Sequence, residues 1–237
     1  MKPGLVELLF SPLDRSKLRL EVTDQTDGEV MAGEFIDASG KQYPIVEGVP
    51  LFAEEVGTDE TFSFKWKLIG DSYGYEKNTR LNRQNWYLER FGFDTRDDLL
   101  NFLKTKKMVL DAGIGSGVDV AMFAESGTTV IAIDLSKDAA LATYRHLSHL
   151  PNVHVLQADL CALPFQAGVF DFISCDQVLH HTVSPTDSFA ALARHLCRGG
   201  HIAIYVYRHK GSIREFTDDY LRNYTTKMTA QDCYKFC

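Results

Sequence analysis

The sequence MVLDAGIGSG, at residues 108–117, joins a short apolar run to a turn that is rich in glycine. The run MVL predicts a strand that is buried on both faces, as in a parallel sheet. Asp111 ends this strand, and the glycines after it indicate that some group approaches the backbone too closely for side chains. Residues 118–125 are expected to form a helix whose free N–H groups attract an anionic or polar ligand group. The stretch therefore predicts a nucleotide-type pocket at the carboxyl end of a first strand.

Residues 106–210 alternate short apolar runs with helical patterns, which is typical of successive βαβ units. Strands are predicted at residues 108–110, 129–133, 153–156, 170–175 and 201–207, and helices at residues 118–125, 136–149 and 186–197. Gly199 and Gly200 are expected to close the last of these helices. The predicted fold class is α/β, a Rossmann-like, doubly wound and mostly parallel sheet. Right-handed crossovers place the carboxyl ends of its strands on one edge.

The spacing of the glycines separates two kinds of nucleotide pocket. Dinucleotide-binding proteins use G-x-G-x-x-G, whereas residues 111–117 read DAGIGSG. That spacing resembles the first motif of class I S-adenosylmethionine (SAM)-dependent methyltransferases, and the resemblance extends over residues 106–208. It implies S-adenosyl-L-methionine as the cofactor and a SAM-binding Rossmann-like domain at residues 106–210.

Two further landmarks follow the second and third strands. Asp134 stands at the tip of the second strand, where a carboxylate can accept hydrogen bonds from both ribose hydroxyls. Because NAD-binding folds use the same arrangement, Asp134 indicates a ribose without naming the cofactor. By the resemblance, Asp159 takes the adenine amino group, and the next backbone N–H, that of Leu160, meets a ring nitrogen. This third landmark favours SAM over NAD.

The resemblance also implies a set of cofactor ligands around the glycine turn. Gly113 and Gly115 let the backbone lie against the methionine part, and Asp111 helps to hold its ammonium group, directly or through water. The full predicted set is Asp111, Gly113, Ile114, Gly115, Asp134, Leu135, Asp159, Leu160, Asp176 and Gln177. The alternatives are that Asp111 only caps its turn and that Asp134 only begins a helix.

Residues 170–181, FDFISCDQVLHH, resemble the fourth-strand motif of small-molecule methyltransferases. The resemblance puts Asp176 and Gln177 beside the transferring methyl group and His180 and His181 at the entrance of the site. An imidazole there can accept a proton from an acceptor hydroxyl, so the two histidines are the catalytic candidates. Adjacent residues on a helix point in different directions, and we therefore expect at most one of them to serve. The alternative is a histidine at the start of a helix that only packs or bonds the backbone.

Residues 1–55 are predicted to form a small β module. Residues 18–22 alternate apolar and charged side chains, a DG turn follows, and residues 29–36 return as the partner strand. The stretch YPIVEGVPLF, at residues 43–52, resembles the end of a zinc-ribbon-like module that often accompanies methyltransferases.

The residues that bind zinc in that module are replaced here. Its two cysteine pairs correspond to Ser11-Pro-Leu-Asp14 and Ile36-Asp-Ala-Ser39, and the sequence has no cysteine before Cys161. A tetrahedral thiolate site cannot form from these residues, so no metal site is predicted. We expect a ribbon that has lost its metal and folds on apolar contacts alone. An unrelated β-hairpin module is the alternative.

Residues 56–105 are predicted to form a linker and a helical lid that is rich in aromatic side chains, with helices at residues 81–91 and 97–103. In similar methyltransferases this segment covers the cofactor and shapes the acceptor pocket, and Phe64 and Trp66 are the preferred lid residues. The alternative is that the aromatic side chains are core. Residues 211–237 are expected to be a C-terminal helical segment, and truncation of the chain after the fifth strand is left open.

The composition restricts the partners. The 237 residues carry a formal charge of -7, which gives no support for a nucleic acid held by phosphate contacts. No apolar stretch approaches the ~20 residues that cross a bilayer, so no membrane span is expected. Five cysteines without a C-x-x-C pair fit a reducing compartment, and cytoplasmic localisation is the expectation. A homodimer is left open.

These patterns predict an enzyme, a SAM-dependent methyltransferase that transfers a methyl group to a small-molecule acceptor, by analogy a metabolite or a lipid-linked, sugar-like compound. A second hypothesis is a SAM-binding partner or regulatory protein without turnover. A third, less favoured, is an NAD-dependent oxidoreductase. The pattern does not identify the acceptor.

Overall fold

The computed structural model describes residues 1–54, 64–68, 77–208 and 211–236. The other residues include most of the predicted linker and three of the aromatic residues of the predicted lid segment, Phe62, Tyr73 and Tyr75, which therefore lie outside the described residues.

The N-terminal residues form an antiparallel sheet of four strands in sequential order. Its strands are β1 (Arg19–Thr26), β2 (Glu29–Ile36), β3 (Gln42–Val46) and β4 (Val49–Pro50). Asp27 and Gly28, between β1 and β2, have φ angles of 51° and 81°. Two successive positive φ values are what a two-residue hairpin turn requires, which explains the DG pair. The predicted β module is thus present as a meander.

The second sheet has five strands, all parallel. They are β5 (Met108–Ala112), β6 (Thr129–Asp134), β7 (Val153–Gln157), β8 (Phe170–Asp176) and β9 (Leu196–Tyr205). Their spatial order is β7-β6-β5-β8-β9, so the order reverses at β5. In open α/β sheets the ligand crevice lies at this switch point, beyond the carboxyl ends of the strands. The predicted Rossmann-like sheet is confirmed.

Helices flank the sheet and extend beyond it. They are α1 (Lys77–Phe91), α2 (Arg96–Lys104), α3 (Val118–Ala124), α4 (Lys137–Leu147), α5 (Pro185–Arg194), α6 (Ser212–Thr225) and α7 (Ala230–Phe236). Ser136 caps α4 as predicted, because its hydroxyl accepts a hydrogen bond from the Ala139 N–H. None of the helices in the described residues is long and apolar enough to cross a bilayer.

The prediction of a helix at residues 186–197 that is closed by two glycines is wrong at its end. Helix α5 stops at Arg194, and Gly199 and Gly200 lie inside strand β9. The pairing of β8 with β9 shifts register at this point, so the strand is irregular. Gly199 has a φ of 80°, and a β-carbon on Gly200 would lie 3.0 Å from the carbonyl oxygen of Cys197. The glycines therefore accommodate an irregular strand instead of a helix cap.

The parallel sheet is covered on both faces, as the apolar strands predict. Val109 belongs to a buried cluster with α2, α3 and α4, whereas the next residue, Leu110, belongs to a cluster on the other face. That second cluster contains α5 and also the N-terminal sheet, through side chains such as Phe35 and Phe52. Residues 158–169, between β7 and β8, contain no helix. The N-terminal sheet thus covers the part of the face that a crossover helix would otherwise occupy.

A buried hydrogen-bond network lies where the zinc-ribbon resemblance would place a metal. Asp37, 6% exposed, accepts hydrogen bonds from the hydroxyls of Ser11 (3.0 Å), Tyr43 (3.2 Å) and Ser39 (2.6 Å). These hydrogen bonds lower the pKa of Asp37 to about 2. The expectation that this module folds on apolar contacts alone is wrong, because the carboxylate of Asp37 joins the two segments at residues 11–14 and 36–39. In the described part of the chain, no group of three or more His, Cys, Asp or Glu side chains could hold a metal ion.

Candidate active site

The predicted cofactor ligands gather at the carboxyl edge of the parallel sheet. Asp111 lies near the end of β5, Asp134 is the last residue of β6, Asp159 follows β7, and Asp176 is the last residue of β8. Because all these strands are parallel, their carboxyl ends meet at one edge, and the four acids share it.

The glycine turn after β5 is contacted closely by two side chains from elsewhere in the chain. Gly113 and Gly115 have φ angles of 88° and 53°, which side chains rarely adopt. A β-carbon on Gly113 would lie 2.3 Å from Val178, and one on Gly115 would lie 2.7 Å from the indole of Trp66. Residues 64–68 are helical, and they place Trp66 over the turn. The structure thus shows Trp66, one of the two proposed lid residues, in contact with the glycine turn.

Asp134 connects the glycine turn to the tip of β6. One of its carboxylate oxygens accepts the Gly115 N–H at 2.9 Å, and the other accepts the Ser136 N–H at 2.9 Å. The carboxylate is therefore fixed beside the turn, at the position from which the prediction has it bind a ribose. Its role as a cofactor ligand stays a prediction.

The residues predicted to hold adenine lie next to Asp134. The Ala158 N–H donates to the Asp134 carbonyl oxygen at 3.0 Å, which brings the residues after β7 beside the tip of β6. Asp159 accepts the Cys161 N–H at 2.8 Å, which shapes this turn, and the Leu160 side chain is buried. The Leu135 carbonyl oxygen accepts a hydrogen bond from the side chain of Gln157 at 2.9 Å.

One face of helix α1 supplies three site residues that the sequence reasoning missed. Arg83 donates to Asp119 at 2.9 Å, the Tyr87 hydroxyl donates to the Ser174 hydroxyl at 3.1 Å, and Arg90 donates to Asp176 at 2.6 Å. The three α1 side chains lie four and three residues apart, so they share one face of the helix. This spacing was a usable signal, since two arginines and a tyrosine on one helix face call for acidic or polar partners.

The partners of these arginines form a buried group of carboxylates. Asp111, Asp119 and Asp176 are each 7% exposed or less. Burial, followed by the neighbouring charge of Asp119, raises the pKa of Asp111 well above its usual range. Burial also raises the pKa of Asp119, although Arg83 opposes this. Three carboxyl groups facing two guanidinium groups make this part of the site suited to a positively charged ligand group.

Among these carboxylates and arginines, two side-chain oxygens and one side-chain nitrogen have no hydrogen-bond partner in the described residues. They are Oδ1 of Asp119, Oδ1 of Asp176 and Nε of Arg83, and all three are buried. Buried polar atoms are nearly always hydrogen-bonded, so these atoms offer places for a polar ligand.

The histidine candidates pack against the ring of Tyr207. The ring centroid of His180 lies 4.0 Å from that of Tyr207 and 4.1 Å from that of His181. The expectation that the two imidazoles point apart is wrong, because their ring centroids are only 4.1 Å apart. Burial, followed by the charge of His181, lowers the pKa of His180. Burial and Lys65 lower the pKa of His181.

Gln177 links this aromatic group to the acidic group. It has a φ of 62°, which is uncommon for a residue other than glycine. Its side-chain nitrogen donates to Asp176 at 3.2 Å, and its side-chain oxygen accepts the Tyr207 hydroxyl at 3.0 Å. A strained residue at the end of a strand often marks a functional site. Tyr207 is a further residue that the sequence analysis did not select.

The fold and this edge define the class of the domain, a Rossmann-like α/β domain with buried acids at the carboxyl edge of its parallel sheet. Residues 110–204 match the family model described as "Methyltransferase domain". This match supports the resemblance to class I, SAM-dependent methyltransferases stated for the region. The match does not include residues 1–55, and their likeness to a zinc ribbon stays a prediction.

Several known proteins are similar to part of this chain. An uncharacterised protein of Synechococcus sp. is 33% identical over 108 residues, which are 44% of this chain and 26% of that protein. A ubiquinone biosynthesis O-methyltransferase of Aromatoleum aromaticum is 33% identical over 99 residues, 40% of this chain and 42% of that protein. A crystal structure of a SAM-dependent methyltransferase from Aquifex aeolicus is 24% identical, with a TM-score of 0.43, over 52% of this chain and 70% of that one. The matched part thus spans less than half the length of both sequence relatives.

Proposed function

We propose that this protein transfers the methyl group of SAM to a small-molecule acceptor. The observation that carries the proposal is the glycine turn, held by the carboxylate of Asp134 at 2.9 Å, at the switch point of a methyltransferase domain. The same edge carries the buried carboxylates that suit the positive charge of SAM, which has an ammonium group and a sulfonium.

The chain offers a group for each part of the cofactor. Asp111 is proposed to attract the ammonium group, and Gly113 and Gly115 to admit the methionine chain. Asp134 is proposed to accept hydrogen bonds from the ribose, while Asp159 and the Leu160 N–H bind the adenine edge. Cofactor contacts of this kind orient the reacting methyl group, which is the main work of an enzyme on an already activated donor.

When bound, SAM supplies a methyl group on a positively charged sulfur, ready for attack in line by an oxygen, nitrogen or carbon atom. The protein then has to hold the acceptor and, for a hydroxyl, accept its proton. His180 suits this task because burial lowers its pKa, so that the imidazole is neutral near pH 7. Both of its ring nitrogens are buried and have no hydrogen-bond partner in the described residues.

The exposed rings at this edge support a small and planar acceptor. Trp86, Tyr205 and Tyr207 are all more than one third exposed. The guanidinium of Arg90 lies 4.5 Å from the ring centroid of Tyr205. Aromatic and cationic groups of this kind stack on flat rings. An O-methyltransferase name among the relatives supports an oxygen acceptor.

Calorimetry with SAM and S-adenosylhomocysteine, followed by transfer of labelled methyl groups into a metabolite extract, tests the proposal. We expect both compounds to bind and a methylated small molecule to form, which mass spectrometry identifies. Binding of both compounds without any transfer would instead indicate a SAM-binding protein without turnover. Quenching of NADH fluorescence without SAM binding would indicate an oxidoreductase.

A further inference from the structure

The N-terminal module, residues 1–54, holds both ends of the segment at residues 157–165, which we name the adenine loop because the proposed function places adenine against it. At its start, the Phe52 N–H donates to the Gln157 carbonyl oxygen at 2.9 Å. At its end, the Phe10 N–H donates to the Pro164 carbonyl oxygen at 3.0 Å, and Arg15 donates to the Leu163 carbonyl oxygen at 2.8 Å. The loop contains no helix or strand beyond Gln157, so it has little regular structure of its own.

The side chain of Gln157 connects three segments at once. It is 1% exposed. Its oxygen accepts the Ala53 N–H at 3.1 Å, and its nitrogen donates to the Leu135 carbonyl oxygen at 2.9 Å. Leu51 and Gln157 form an isolated parallel β-bridge, which attaches the N-terminal module to the free edge of β7. One amide therefore fixes the N-terminal module, the residue after Asp134 and the start of the adenine loop relative to one another.

We propose that the N-terminal module supports the cofactor site, and that Gln157 is a positioning residue for the adenosine half of the cofactor. The inference rests on the proposed function and adds a role for residues outside the methyltransferase domain. The physical reason is preorganisation: a loop that is already held in its bound shape loses less conformational freedom when a ligand binds. Gln157 acts through the backbone of Leu135 and of the loop, without needing to touch the ligand.

The test compares Gln157→Met with Asn152→Leu, which is a matched control. The Asn152 amide also holds two backbone groups, donating to the carbonyl oxygens of Ala124 and Thr128 at 2.8 Å each. It lies before the amino end of β7, whereas Gln157 lies at the carboxyl end. Each variant replaces an amide by an apolar side chain of similar size, so both are expected to lower the melting temperature.

Only Gln157→Met is expected to weaken binding of SAM and of adenosine, by about tenfold, as lost hydrogen bonds of ordinary net strength would do. Gln157→Glu keeps the acceptor for the Ala53 N–H but cannot donate to Leu135 as a carboxylate. Gln157→Glu should weaken binding as well, and this result would assign the effect on binding to the hydrogen bond with Leu135 and not to the one with Ala53. Equal weakening of binding by the Gln157 variants and by Asn152→Leu would overturn the proposal.

Amide hydrogen exchange on the ligand-free protein gives a second readout. In Gln157→Met we expect faster exchange at Leu135 and at residues 158–163, and no such local change in Asn152→Leu. Unchanged exchange in both variants would overturn the proposal. If the wild-type protein does not bind SAM, the proposed function fails, and the exchange comparison still decides whether Gln157 holds this loop.

Discussion

Arg90 and Asp176 form an ion pair that is mostly shielded from water, and replacing Arg90 by methionine tests how strongly it fastens α1 to the sheet. The two side chains are 17% and 4% exposed, and their closest atoms are 2.6 Å apart. In Arg90→Met the apolar part of the side chain is kept, while the carboxylate of Asp176 stays buried. Among the residues that the structure describes, only the amide of Gln177, at 3.2 Å, then still donates to this carboxylate.

The loss of unfolding free energy depends on which charge of the pair remains buried without its partner. Removing one partner of a buried pair costs about 3–5 kcal/mol, and the remaining contact to Gln177 places Arg90→Met near 3 kcal/mol. Asp176→Asn should cost less, about 2 kcal/mol, because Arg90 is the more exposed partner and still lies over the ring of Tyr205. The double variant leaves no unpaired charge. We expect it to fall short of the sum of the single losses by about 2 kcal/mol.

Urea denaturation at neutral pH measures the free energy of unfolding for the wild type and the three variants. The four values form a double-mutant cycle that isolates the energy of the pair. Losses that add to within about 0.5 kcal/mol would refute the reasoning, because they would mean that the two groups do not interact. A large coupling that disappears in high salt would also contradict it, since shielded pairs are screened little.

Four further changes test the site and the N-terminal module. Asp134→Ala should weaken SAM binding by about 1–3 kcal/mol in calorimetry, because hydrogen bonds to a carboxylate are lost. His180→Gln should lower kcat by a factor of about 10²–10⁴ for a hydroxyl acceptor and leave the KM for SAM unchanged. The kcat of the wild type should rise with pH, with a midpoint below 6.5, because burial lowers the pKa of His180. SAM affinity should fall as the pH falls through the raised pKa of Asp111, since the neutral acid attracts an ammonium group less, and Asp111→Asn should remove this dependence. The contribution of Asp37 to stability, present above its unfolded pKa near 3.8, should be lost as the pH falls towards 2 in urea denaturation, and Asp37→Asn should lack this loss.

The outcomes that would contradict these four expectations are equally specific. Unchanged affinity in Asp134→Ala would remove that residue from the ribose site. A pH midpoint that is the same in His180→Gln as in the wild type would assign the titration to another group. SAM affinity that does not change with pH would contradict an Asp111 that titrates beside the ammonium group. Identical acid unfolding of the wild type and Asp37→Asn would show that the carboxylate does not stabilise the contact between residues 11–14 and 36–39.

The parallel sheet could be predicted because its signals are local. A strand buried on both faces reads as a short apolar run, and the run at residues 129–133 became β6, Thr129–Asp134. Asp134 was identified because its position at the end of this strand fixes its place on the carboxyl edge. The cap at Ser136 is equally local, since a hydroxyl bonds an N–H three residues later.

Features that depend on distant partners could not be predicted in this way. The face of α1 with Arg83, Tyr87 and Arg90 gains its meaning only from acids and a serine on other elements. The end of α5 was misplaced because a glycine pair serves a helix cap and an irregular strand equally well. Gln157 looked like an ordinary residue after a strand, and only the packing of residues 51–53 against it shows its role.

The shared core of the N-terminal sheet and the parallel sheet has a consequence for synthesis of the chain. The contact between Ala53 and Gln157 spans 104 residues. At about 5–20 residues per second, a ribosome needs roughly 5–20 seconds to make that interval. During this time the apolar face around Phe35 and Phe52 is exposed, because the part of the parallel sheet that later covers it has not yet been made. We therefore expect the nascent chain to expose an apolar sheet face to which chaperones can bind. We also expect folding to be completed late and in one cooperative step.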